Sequence, residues 1–161
     1  MKLQFDPSTI DALQWRIDDR FDHYVRNLTG DGEVVLTGGA AVDDDGQYLF
    51  PAVAGKGGSS TACFSGSVEY KAYMGVLSLR ISAPRITVGE HDLRLSVQDI
   101  ASQGADVELA TAPLVGRAPG MDPIEFRLTE AGSEMFFGKY PPGWLLAPAK
   151  LKVRKSKVVV L

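Results

Sequence analysis

The sequence predicts an all-β fold, an antiparallel β-sandwich with one or two short helices. Three observations carry this expectation. Apolar and polar residues alternate with a period of two in stretch after stretch, as in Phe64 to Tyr73 and Gly75 to Ser82. Turn formers punctuate those stretches, with 17 glycines and 9 prolines in 161 residues, a composition suited to many turns and few long helices. Helical spacing is confined to two short segments, one after Asp18 and one after Thr129.

The elements follow in order. Leu13, Trp15 and Ile17 alternate with polar neighbours as a strand does. From Asp18 the period changes, and Phe21, Tyr24 or Val25, and Leu28 fall at helical intervals. A helix over about 19–28 results, with Asp18 or Asp19 as its cap and Gly30 or Gly32 for a left-handed stop. On periodicity alone a single helix from Ser8 to Leu28 also fits, through Ile10, Leu13, Ile17 and Phe21. Strands are then expected at Glu33 to Leu36, Ala40 to Val42 and Gln47 to Pro51, separated by turns at Gly38-Gly39 and Asp43 to Gly46. Gly55 to Ser60 reads as a loop too short to link domains. Phe64 to Tyr73 places Phe64, Gly66, Val68, Tyr70 and Ala72 on one face and Tyr73 on the other. Gly75 to Ser82, Pro84 to Val88, His91 to Val97, Val107 to Thr111 and Ile124 to Leu128 continue the series. Thr129 caps a second short helix reaching Gly138.

Length fits one domain over 1–161, with a core at about 13–148 and a basic strand or tail at 149–161. That tail holds Lys150, Lys152, Arg154, Lys155 and Lys157 without an acid. The rest keeps 12 basic against 20 acidic residues, a charge of -8, which argues against nucleic acid as a partner. No apolar run is long enough to span a membrane as a helix. Met1 to Pro7 lacks the apolar core of a signal peptide, so the chain reads as cytoplasmic as written or as an exported form whose leader was removed. The lone Cys63 excludes a disulfide framework and a Cys-rich zinc site, and its apolar neighbours indicate a buried thiol.

Two segments carry the strongest functional signal. One is Trp15-Arg16-Ile17-Asp18-Asp19-Arg20-Phe21-Asp22-His23-Tyr24-Val25, and the other is Phe64-Ser65-Gly66-Ser67-Val68-Glu69-Tyr70-Lys71-Ala72-Tyr73-Met74-Gly75. Together they resemble the HtaA domain of actinobacterial haem-uptake proteins, with its W-x-I-x-x-S-F-x-x-Y-V opening and a later G-x-x-x-F-x-x-H-x-G strand. Leu77 to Ile86 resembles that family's L-x-L-x-I-x-x-P-x-I segment, and Leu128 to Tyr140 its L-T-x-x-G-x-x-x-F-x-x-x-Y close. The resemblance spans residues 13 to about 148 and implies an antiparallel sandwich that opens with a strand and then a helix. It implies that Tyr24 is the ligand of a haem iron. Arg20 stands where the family has serine, and Tyr73 where it has the histidine that supports the tyrosine.

The chemistry of these substitutions can be followed. A phenolate is a hard anionic ligand suited to ferric iron, and a donor to its oxygen favours the ionised form. Tyr73 has the O–H needed to act as that donor. Arg20, four residues before Tyr24, shares its helix face and would stabilise the phenolate, meet a haem propionate, or fill the site instead. Haem, or another apolar small molecule, is thus the expected ligand. The alternatives are a sandwich that has lost its haem ligands and serves as a non-haem binding or structural module, or an enzyme.

The remaining candidates read as ordinary surface. His23 should point away from the Tyr24 face, and His91 lies at a hairpin tip, with no metal-ligand spacing between them. Asp43-Asp44-Asp45-Gly46 lacks the later glutamate of a calcium loop and reads as a turn. No nucleophile elbow or phosphate-cradling loop is present. Met135, Phe136, Phe137, Tyr140, Trp144, Leu145 and Leu146 either close the core or line an apolar pocket. Val158 to Leu161 is strand-like and suits pairing along a sheet edge, within the chain or with another protein.

Overall fold

The computed structural model describes residues 7–54, 58–99, 104–114 and 123–153. Its strands are β1 (Ile10–Trp15), β2 (Glu33–Thr37), β3 (Ala41–Val42), β4 (Tyr48–Pro51), β5 (Thr61–Cys63), β6 (Ser67–Ala72), β7 (Leu77–Val88), β8 (Asp92–Asp99), β9 (Ala105–Pro113), β10 (Arg127–Leu128) and β11 (Ala149–Val153). Two helices, α1 (Asp19–Asn27) and α2 (Glu130–Met135), complete the set. Four strands form one antiparallel sheet in the order β11-β1-β4-β3, and the others form a second in the order β10-β9-β8-β7-β6-β2, with β5 extending the β6 edge of β7. The expected all-β antiparallel sandwich is therefore the observed fold.

The alternating residues meet between the sheets. Leu13, Trp15 and Phe50 from one side and Val68, Tyr70, Leu79, Ile81, Leu95 and Val97 from the other belong to one buried cluster, with Phe21 and Val25 of α1 and Phe136 after α2. Trp15 is fully buried, and its indole N–H donates to the Ala147 carbonyl at 2.9 Å, so the ring packs without an orphaned polar atom. Cys63 is buried with a free thiol, as its neighbours indicated.

The first strand and α1 resolve the open alternative. Residues 10–15 are extended, so no helix runs from Ser8. Strand β1 also starts and stops earlier than expected, because Ile17 sits at φ 73 and turns the chain before the helix. Asp18 then caps α1 by accepting the Phe21 N–H at 2.8 Å. Leu28 was expected on the buried face, but it is the C-terminal cap residue and 64% exposed.

Other boundaries moved for local reasons. Phe64 lies outside β6, in an isolated bridge to Ala52, and Tyr73 leaves the strand for a tight turn over Tyr73–Gly75. The two strands expected on either side of Ala83 are one 12-residue strand, β7, with Ala83 at φ 47 and a register shift between Ser82 and Arg85. That irregularity lets Pro84 sit within a sheet despite lacking a backbone donor. Ile124 makes only an isolated bridge, to Ala149. Helix α2 stops at Met135 rather than Gly138, since Phe137 and Gly138 have φ 60 and 70. Gly132 is where α2 touches the sheet: a Cβ there would lie 2.1 Å from the Leu109 carbonyl oxygen of β9. At the C-terminus, Leu151 is buried while Lys150 and Lys152 face solvent on β11, paired with β1. Arg154, Lys155, Lys157 and the strand-like Val158 to Leu161 lie outside the described residues. No described helix is long and apolar enough to cross a membrane.

Candidate functional site

Helix α1 carries Tyr24, and the turn after β6 carries Tyr73. Their hydroxyls meet at 2.5 Å, 49 positions apart in sequence. Burial of Phe21 and Val25 seats α1 on the sandwich and leaves Tyr24 half-buried at its edge. Tyr73 reaches it because Tyr73 and Met74 both adopt left-handed backbone, φ 53 and 57. Such a conformation costs about 1–2 kcal/mol per non-glycine residue. Asp31 offsets that cost: its two carboxylate oxygens accept the N–H groups of Tyr73 and Met74, each at 2.8 Å. These bonds hold the Asp31 carboxyl below its ordinary value, the Met74 N–H contributing most. Asp31 itself is positioned by close approach of its loop to α1, since a Cβ on Gly32 would lie 1.6 Å from the Val25 carbonyl oxygen.

The hydrogen bond to Tyr24, followed by partial desolvation and the nearby Tyr24 and Asp31 charges, pushes the Tyr73 phenol up from its ordinary value. Either hydroxyl can donate in this contact, and a Tyr73 phenol that holds its proton more firmly suits the donor's part once Tyr24 is ionised.

Beside the pair lies an open cleft of about 270 Å³. Phe21, Leu77 and Phe136 form part of its apolar lining, Val76 and Phe137 stand at its rim, and Lys139 supplies a cation. Val76 is 85% and Phe137 57% exposed, and the adjacent Met74 is 96% exposed. Large apolar groups held in water around a concave site mark a surface for an apolar ligand. The Lys139 ammonium rests 3.9 Å from the centroid of the Tyr24 ring.

Arg20 lies elsewhere. Its guanidinium sits 5.3 Å from the centroid of the Trp144 ring. Trp144 in turn stacks on Tyr140 at 4.6 Å and donates its indole N–H to Asp18 at 2.9 Å. The geometry thus brings Tyr24 and Tyr73 together and puts Lys139, rather than Arg20, against the Tyr24 ring. No motif pointed to Lys139, because the left-handed turn at Phe137-Gly138 aims it and no local pattern announces that turn. Of the aromatic run near the end, Phe136 and Tyr140 close the core and Phe137 borders the cleft.

A buried polar network fixes α1 from below. Asp22 Oδ2 accepts the hydroxyls of Tyr70, at 2.9 Å, and of Tyr48. Its Oδ1 accepts from Arg26 at 2.8 Å and Arg16 at 3.2 Å. Tyr48 is on β4 and Tyr70 on β6, so one carboxylate ties the helix to both sheets. Burial, then the neighbouring charges, raises the Tyr70 phenol well above its usual value. Sequence reasoning missed Asp22, although a carboxylate on the helix face opposite its exposed residues was a signal.

The other candidates hold structure. His23 is exposed and within 3.0 Å of the Asn27 side-chain nitrogen, and His91 is solvent-facing beside Glu90. Asp43 accepts the backbone N–H groups of Asp45 and Gln47 at 2.9 Å, which builds a turn. Among the described residues no group of three or more His, Cys, Asp or Glu side chains is placed to hold a metal ion. A larger groove of about 660 Å³ includes Glu69, Asp99 and Glu134 in its lining with Arg80, which pairs with Glu69 at 3.3 Å, so the acidic side chains outnumber the basic one.

The cleft fits a flat, iron-bearing macrocycle in its chemistry. An oxygen donor stands at its edge, a hydrogen-bond donor backs that oxygen, and apolar faces flank it. Its volume of about 270 Å³ falls just below the roughly 300–1,000 Å³ typical of ligand pockets. A macrocycle would therefore lie across the cleft with part of its surface in water.

Comparison with known proteins gives consistent results. The family model HtaA, described as Htaa, matches residues 11–152. The crystal structure of the N-terminal domain of HtaA from Corynebacterium glutamicum superposes with a TM-score of 0.74 and 21% identity, covering 96% of this chain and 100% of that one. The C-terminal domain of the same protein gives 0.67 and 20%, covering 88% and 93%. A structure described as heme binding protein HtaB, from the same organism, gives 0.67 and 17%, covering 90% and 92%. No curated protein matches the sequence.

Proposed function

The chain belongs to the HtaA family, and from that premise we propose that it binds ferric haem non-covalently and passes it on. The observation that carries the reading is the 2.5 Å contact between the Tyr24 and Tyr73 hydroxyls at the edge of an apolar cleft. Tyr24 is the iron ligand. A deprotonated phenol is a strong donor to an oxidised, hard metal centre, and iron favours its ionised form. Tyr73 keeps its proton and donates to the Tyr24 oxygen, the part that histidine takes in the family pattern. Phe21, Leu77 and Phe136 give the macrocycle an apolar face, and Val76 and Phe137 its rim. Arg20 supports the site at a distance, by holding Trp144 and through it the Asp18 cap of α1.

The iron of a bound haem would supply Lewis acidity, and the chain's own part is to bind, orient and partly desolvate. An open cleft suits a carrier, because a ligand that keeps one edge in water can leave along that edge. The fold with HtaB, a protein described as binding heme, supports the same reading.

The test is a visible-absorption titration with hemin. Wild-type protein should give a tyrosinate-type ferric spectrum that disappears in Tyr24→Phe. Identical spectra for both proteins would remove Tyr24 from the site. A spectrum unchanged from free hemin would favour a module that kept the sandwich for another ligand.

A further inference from the structure

We infer that Lys139 selects the ligand by charge: its ammonium pairs with a carboxylate at the edge of a porphyrin seated on Tyr24, so that the cleft takes anionic porphyrins in preference to their neutral esters. This inference rests on reading the cleft as a porphyrin site.

Lys139 is the single ionised residue among the described residues that line the cleft, where the others are apolar or phenolic. Among the described residues the other cations carried by or flanking α1 are held away from the cleft. Arg16 and Arg26 are bound to the buried Asp22. Arg20 lies over Trp144. Among the described residues no carboxylate forms an ion pair with Lys139, whose ammonium lies over the face of the Tyr24 ring.

The backbone fixes the root of this side chain, and its stem is exposed. After α2 the chain reverses through the left-handed Phe137 and Gly138, and the Lys139 N–H donates to the Phe136 carbonyl at 3.0 Å. Phe136 and Tyr140, on either side, are buried. The exposed four-carbon stem can swing its ammonium from the ring face to the cleft edge when a flat ligand settles on the Tyr24 oxygen. Lys139 is exposed, so the charge pair contributes at about the upper end of a surface ion pair, where the apolar cleft wall lies alongside it.

The competing account is that Lys139 acts on Tyr24, favouring its phenolate through the ring, and not on the ligand. Esterification separates the two, because it removes the carboxylates and leaves the iron and the ring system. Wild type, Lys139→Met and Lys139→Glu are titrated with hemin and with hemin dimethyl ester by absorption, and with metal-free protoporphyrin IX by fluorescence. The methionine keeps the apolar stem and removes the charge, and circular dichroism verifies that each variant folds.

Hemin and protoporphyrin IX affinities should fall about fivefold to tenfold in Lys139→Met and further in Lys139→Glu, while the ester binds all three alike. Equal hemin affinity in wild type and Lys139→Met would overturn the inference. Equal losses for hemin and its ester would also overturn it, by assigning the effect to Tyr24. Should Tyr24→Phe leave the hemin spectrum unchanged while protoporphyrin IX still depends on Lys139, charge selection stands and the iron-ligand reading falls. Failure of every porphyrin to bind wild type would end both.

Discussion

The Asp31 carboxylate accepts the backbone N–H of Tyr73 at 2.8 Å, so the loop leaving the helix of one phenol anchors the turn that presents the other. With the matching bond to Met74, it holds two consecutive left-handed residues against their own preference. Removing the carboxylate in Asp31→Ala should let the turn relax and move the Tyr73 hydroxyl away from Tyr24. Hemin affinity is expected to fall about threefold to tenfold, the loss of a hydrogen bond's alignment rather than of the ligand. Absorption titration measures this, and affinity equal to wild type would show that the turn holds itself.

The same carboxylate makes stability depend on acid. The folded value for Asp31 lies below the unfolded one, because the Met74 and Tyr73 N–H groups favour the ionised form. Its contribution is therefore complete above the unfolded value near pH 4 and is lost as pH falls through the lower folded value. Thermal melting of ligand-free wild type and Asp31→Ala should give a constant difference above about pH 5 that shrinks as pH drops below about 4. A difference that widened on acidification would contradict the assignment.

Much of this architecture is legible in the sequence, and the parts that are not depend on contacts made far along the chain. Period-two alternation located the strands around Val68, Leu79 and Leu95, since burial on one face of a sheet imposes that period. The Asp18 cap and the Thr129 cap were visible as residue types before apolar runs. The short β5 and the isolated bridge at Ile124 depend on pairing partners that no local pattern names, and other misses fall where non-glycine residues take left-handed backbone: Ile17, Tyr73, Ala83 and Phe137. Each ended, bent or redirected an element, and nothing in a side chain's identity announces that choice when tertiary contacts impose it. The candidate site shows the same division. Tyr24 and Tyr73 could be paired through a family pattern, whereas Lys139 depends on the turn at Phe137 and Asp31 on a loop contact.

The hydroxyl of Tyr73 can be tested apart from its ring. Tyr73→Phe keeps the apolar contact with the cleft and removes the donor to Tyr24. A hydrogen bond to a charged acceptor is worth about 1.5–3 kcal/mol, so hemin affinity should fall about tenfold or more. Tyr73→His returns a donor to the position and should recover most of that loss. Equal weakening in both variants would mean that the site needs the phenol's size and not its proton. Titration of the two variants beside wild type gives the answer directly.

The deepest support of the site is the Asp22 cluster, and its removal should be felt at two distances. In Asp22→Asn the side chain keeps its shape but presents an amide N–H₂ where a carboxylate oxygen accepted hydrogen bonds. Either the Tyr48 and Tyr70 hydroxyls or the Arg26 and Arg16 guanidiniums then face a donor. Arg26 is partly solvated and can turn to water, which limits the penalty, while Tyr70 is fully buried and cannot. The expected cost is about 2–4 kcal/mol, below the upper range for stripping one partner from a wholly buried ion pair. Urea denaturation should show a lower midpoint at an unchanged slope. Because Asp22 ties α1 to both sheets two residues before Tyr24, the hemin complex should also lose its uniform tyrosinate spectrum under conditions where the variant remains folded. A destabilised variant with a wild-type spectrum would confine Asp22 to the stability of the sandwich, and a wild-type midpoint would show that water or the arginines compensate fully for the missing charge.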